Sequence, residues 1–129
     1  MKINNKFIKD QFGKIIEKYE LDFFSDEEYV VKIENERVEI YFCTERWEDG
    51  IITAFRNKIK NEFYYPSKVE EIKGFSDFKE FLTPEETIYI DSLQEGNDMI
   101  VYSFRILLER YCQDMLSGDF SKVPAGTPS

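Results

Sequence analysis

The chain has 129 residues, with 26 Asp and Glu against 17 Lys and Arg, a net charge of −9 and no histidine. Without imidazole there is no Ser-His-Asp or Cys-His catalysis, no histidine metal ligand and no histidine pH switch. The acidity argues against general nucleic-acid or anionic-membrane binding, where phosphates need Lys and Arg partners.

Residues 3–19 place Ile3, Phe7, Ile8, Phe12, Ile15, Ile16 and Tyr19 at spacings of three and four, which predicts an amphipathic helix with Lys6, Asp10, Lys14 and Glu17 on its wet face. Gly13 within it costs about 1 kcal/mol against Ala. Leu21 to Asp26 then breaks the period and reads as an apolar-anchored loop. From Glu28 the period becomes two. Tyr29, Val31 and Ile33, then Val38, Ile40 and Phe42, flank the polar turn at Asn35-Glu36, the pattern of a β-hairpin. On its other side Lys32, Glu34, Arg37, Glu39 and Tyr41 read as cross-strand charge pairs. Residues 50–57 predict a third strand, and Phe63-Tyr64-Tyr65-Pro66 an edge strand, where proline is tolerated.

Further on, Ser76 is placed to cap a short helix carrying Phe78, Phe81 and Leu82. Thr83-Pro84-Glu85-Glu86 is a capping box with proline at the first helical position, although Thr87-Ile88-Tyr89-Ile90 has strand propensity. Residues 98–116 predict one long helix capped by Asn97 or Asp98, with Gly118 as its left-handed stop and Phe120 packing back on it. Together these make an α+β fold: an N-terminal helix, an antiparallel meander of three to four strands, and C-terminal helices packed on one face. Residues 1–122 are expected to be a single domain and 123–129 a disordered Pro/Gly tail.

Nothing reads as a signal peptide or a membrane span, so a soluble cytoplasmic protein is expected. Cys43 and Cys112 lie in no ligand pattern and read as free thiols of a reducing compartment, with a disulfide between them left open. No phosphate loop, nucleophile elbow or calcium loop is present, so no catalytic residue, metal or cofactor is assigned and an enzyme is not expected. Adjacent acids such as Glu70-Glu71 and Glu85-Glu86 read as solvated pairs.

Two segments stand out as partner-binding candidates. Between Glu17 and Glu28 six acids, including Asp22, Asp26, Glu27 and Glu28, surround Phe23 and Phe24 with Lys18 alone in opposition. The bland account is a solvated loop whose aromatics dip into the core; the sharper one is an acidic surface with aromatic anchors for a basic protein. The second is Trp47 with Glu48 and Asp49, in a strand connection, where the tryptophan is either an interface anchor or a lid on the sheet.

The layout resembles that of small bacterial cytoplasmic proteins, including immunity-type proteins that neutralise toxins passed between competing cells. The likeness is carried by the N-terminal helix, the hairpin 28–43, Trp47-Glu48-Asp49-Gly50-Ile51 and the closing Tyr111-x-x-Asp114-Met115-Leu116-x-Gly118-Asp119-Phe120. It implies a non-enzymatic domain that binds a cognate toxin and blocks it. It transfers no individual binding residue. Two other readings stay open: a small-ligand or metal-binding domain with a pocket between sheet and helices, and an acidic homodimeric subunit.

Overall fold

The computed structural model describes residues 3–44 and 50–124. The first helix, α1 (Asn5–Lys18), starts where the Asn4 side chain accepts the Phe7 amide, and it buries Ile8, Phe12 and Ile15. Phe7, Ile16 and Tyr19 pack at the margin of the same face.

Five strands follow in an antiparallel meander, in spatial order β1-β2-β3-β4-β5: β1 (Asp22–Ser25), β2 (Val30–Glu34), β3 (Val38–Thr44), β4 (Ile51–Asn57) and β5 (Glu62–Tyr64). The expected hairpin is β2–β3, with Ile33 facing Ile40 and Val31 facing Phe42 across the ladder. The segment expected as a loop is β1. It pairs Phe23 with Ile33 and Phe24 with Lys32, so one phenylalanine faces the core and the next faces away. The expected edge strand is β5.

Helices cover one side of this sheet. There Val31, Ile33, Val38, Ile40, Phe42 and Phe55 are fully buried, and Phe12 of α1 meets Phe42 edge to face at 5.4 Å. After β5, Pro66 opens α2 (Pro66–Ile72), whose Val69 enters the same core. The helix expected after Ser76 is a single 3-10 turn at Phe78–Glu80, capped by Asp77 instead. The capping box opens α3 (Pro84–Ser92) as expected: the Thr83 hydroxyl accepts the Glu86 amide and the Glu86 carboxylate accepts the Thr83 amide. These start signals outweigh the strand propensity of residues 87–90.

The long helix expected over 98–116 is two. The first, α4 (Gly96–Tyr111), begins two residues earlier than expected, and neither Asn97 nor Asp98 is its cap residue; Glu95 is, without a side-chain bond. Cys112 leaves helical geometry, and α5 (Gln113–Leu116) continues beyond it. The pattern hid this break because Met115 and Leu116 remain buried. Arg110 of α4 bridges to Glu86 of α3, and its guanidinium holds the Glu86 carboxyl down to about 2. Gly118 adopts φ +88°, the left-handed stop. Phe120 packs elsewhere than expected: its ring stacks on Tyr64 and leans on Phe55, against the sheet. Val123 packs at the margin of the core, inside the segment assigned to the tail, and residues 125–129 lie outside the described residues.

No helix among the described residues is long and apolar enough to cross a membrane.

Candidate functional site

The far side of the sheet turns to solvent. In rows across the strands it shows Asp22, Glu34, Glu39, Arg56 and Phe63, then Phe24, Lys32, Tyr41 and Ala54, then Val30, Cys43 and Ile52. Phe24 is 58% exposed and Ile52 41%, while Tyr41, Cys43 and Phe63 are half-buried. Among the described residues the charge pairs expected within the hairpin do not form: Glu34 faces Glu39 and Lys32 faces Tyr41, and the cations that pair with the two glutamates come from β4 and the residue after it. Lys58 donates to Glu34 at 2.9 Å, and Arg56 lies 3.6 Å from Glu39. Glu39 is nonetheless raised above the ordinary carboxyl range by burial and by the facing Glu34, whereas the Lys58 hydrogen bond lowers Glu34.

The acidic segment divides by role. Phe23 is half-buried under Lys9, whose ammonium sits 5.5 Å from the ring centre, and Phe24 stands out from the bare face. Only Phe23 thus dips toward the core, while Phe24 is exposed. Asp26 builds the turn after β1: its Oδ1 accepts the amides of Val30, Glu28 and Tyr29 at 2.8–2.9 Å, which holds its carboxyl below the ordinary range. Glu27 holds φ +67°, a left-handed conformation that a non-glycine residue adopts at a cost of about 1 kcal/mol.

Three hydrogen bonds gather distant segments at the end of the sheet where this turn lies. The Ile3 amide donates to the Glu28 carbonyl at 2.7 Å, the Thr44 amide to the Tyr29 carbonyl at 2.8 Å, and the Ile51 amide to the Asn97 side chain at 2.9 Å. Thr44 and Gly50 flank the connection holding Trp47, Glu48 and Asp49, which lie outside the described residues. The acidic turn, the anchors of the tryptophan connection and the start of α4 thus share one end. Asp22, at the other end of β1, stands apart from them.

The start of α4 adds acids that sequence reasoning missed. Glu95 and Asp98 line a cleft of ≈ 290 Å³ with Asn4, Ile8, Ile51 and Val101. Burial and the neighbouring Glu95 raise Asp98. The signal was long-range: the Ile51–Asn97 bond, spanning 46 positions, and the Ile3–Glu28 bond bring these acids to the β1–β2 turn. Asp26, Glu27, Glu28, Glu95 and Asp98 form no salt bridge among the described residues, whereas seven ion pairs form elsewhere.

Cys112 is buried, which pushes its thiol up to about 12, and Cys43 lies on the bare face; both are free. Among the described residues no three of Cys, Asp and Glu gather as a metal-ligating group. No protein-family model, curated protein or solved structure matches the chain.

Proposed function

We propose that this chain is a non-enzymatic protein-binding domain whose acidic sheet end and bare sheet face dock a basic partner, in the manner of an immunity-type inhibitor of a basic bacterial toxin acting in the cytoplasm. The observation that carries the reading is a set of five acids that form no salt bridge among the described residues, at one end of the sheet beside the exposed Phe24 and Ile52. Clustered acidic charge steers a basic protein toward the surface, and exposed apolar side chains give it something to bury on arrival.

The test is co-expression with the product of the adjacent gene, followed by stopped-flow association at several salt concentrations. Asp26 must be replaced by Asn, which keeps the turn's acceptor oxygen, because Ala would remove charge and turn together. The combination Asp26→Asn, Glu27→Gln and Glu28→Gln is expected to slow association and flatten its salt dependence. An unchanged on-rate sinks the electrostatic reading.

The cleft favours a second reading, a small-ligand domain. Its carboxylates Glu95 and Asp98 suit a compact cation or amine. Val101→Phe, which fills the cleft, separates the two: it abolishes ligand uptake and leaves docking of a protein intact.

A further inference from the structure

The reading of a basic partner leaves open how the contact is made. Resting on that reading, we infer that the free edge of β1 takes up an extended strand of the partner, in which cationic residues flank an apolar one on the bare face and carboxylates face the helices.

β1 is an outer strand of the sheet. The Asp26 amide donates to the Val30 carbonyl, and the alternation of an antiparallel ladder from that bond turns the backbone of Phe24 and Asp22 toward β2. The β2–β3 ladder agrees, since the Thr44–Tyr29 bond sets Val31 and Ile33 toward β3 and leaves Lys32 and Glu34 for β1. The N–H and C=O of Phe23 and Ser25 therefore point off the sheet, and no described group bonds them. Strand edges are ordinarily guarded by lysine, proline or a bulge. The run Asp22-Phe23-Phe24-Ser25 has none of these. The opposite edge is different: β5 has three residues, and Pro66 follows one residue beyond it.

Chemistry on each side of the edge narrows the occupant. On the bare face it offers Asp22 and Phe24, then Asp26: acid, aromatic, acid. On the helix side a groove of ≈ 460 Å³ runs beside β1, lined by Asn5, Lys6, Lys9, Phe23, Ser25 and Glu27. Lys6 and Lys9 form no salt bridge among the described residues. An added strand sends alternate side chains to the two sides, so cations beside Asp22 and Asp26 leave the intervening positions for carboxylates under the lysines. A second copy fits poorly. The register that pairs Phe24 with its twin sets Asp22 of each copy against Asp26 of the other, like charges facing at both ends.

The probe is the end-capped peptide Lys-Glu-Ile-Glu-Lys, titrated into the full chain with amide exchange read by NMR. At about ten times its Kd, exchange at the Phe23 and Ser25 amides should slow about tenfold. The same peptide N-methylated at both glutamates, and the charge-swapped Glu-Lys-Ile-Lys-Glu, should leave those amides unprotected. Phe24→Lys should abolish the effect in a chain whose other amides are unchanged. Protection by all three peptides, or persistence in Phe24→Lys, overturns strand addition. So does the absence of protection with the first peptide. If that peptide instead perturbs only residues 95–98, or if basic-partner association depends on the turn acids while Phe24→Lys leaves it intact, strand addition fails and the broader reading stands.

Discussion

β3 shows two different surfaces within seven residues. Toward the helices it presents Val38, Ile40 and Phe42, all without exposure; toward solvent it presents Glu39, Tyr41 and Cys43. The helix side is closed by rings and aliphatic chains from α1, α2, α4 and Phe120. Among the described residues the bare side carries only its own longer side chains, with Arg56 over both Phe63 and Glu39. Such a sheet places its packing on one face and leaves the other to solvent.

The largest test of that division is a pair of ring deletions. Phe42→Ala should cost about 3–5 kcal/mol, since the ring is fully buried against Phe12 and its loss leaves a cavity. Phe24→Ala should change stability by less than about 0.5 kcal/mol. Urea unfolding of both variants measures the contrast. Comparable losses would mean that the bare face carries the fold as well.

A smaller effect probes how the chain returns to the helix side after α5. Gly118→Ala forces a Cβ into a left-handed position and within 2.8 Å of Arg37 Cδ. A loss of about 1 kcal/mol is expected, mainly from the backbone, because the arginine side chain can move. Phe120 should lose its stacking on Tyr64 in the same variant, visible as shifted aromatic resonances. Full stability would show that the stop geometry is incidental to the docking of Phe120.

Most of the architecture was legible because burial imposes a period. α1 and the β2–β3 hairpin each repeat their apolar residues at the spacing of their own geometry, and the capping box marks the start of α3 chemically. β1 was not legible. Four residues give only two inward positions, and adjacent phenylalanines mask an alternation in which one ring is inside and the other outside. The break at Cys112 was hidden for the opposite reason, a period that continues across it. In the site, Phe24 and the acidic turn could be singled out from composition. Glu95 and Asp98 could not, since their nearness depends on a contact between β4 and α4. Asp26 drew notice as a charge, whereas its carboxylate chiefly holds three amides of a turn.

The helix side also contains a flaw. The Thr53 hydroxyl, opposite Phe42, is buried with no hydrogen-bond partner among the described residues. Thr53→Val keeps the branched shape and removes the stranded polar atom, so a gain of about 0.5–1 kcal/mol is expected in thermal unfolding. A loss would mean that the hydroxyl is satisfied in solution.

The smallest expected effect lies on the bare face, where Glu34 and Glu39 face each other and carry opposite pH signatures. Glu34 is lowered by Lys58, so its contribution to stability is present above about 4.5 and is lost as pH falls through its folded value. Glu39 is raised by burial and by Glu34, so its contribution is fully present below about 4.5 and is lost as pH rises through its folded value. At neutral pH Glu39 is thus a charge held against its preference, and Arg56 offsets only part of that. Glu39→Gln should raise stability at pH 7 by less than about 1 kcal/mol and leave it nearly unchanged at pH 4. Denaturant midpoints at the two pH values decide the matter. A variant less stable at pH 7 would show that the ion pair with Arg56 outweighs burial, and that the bare face contributes to the fold after all.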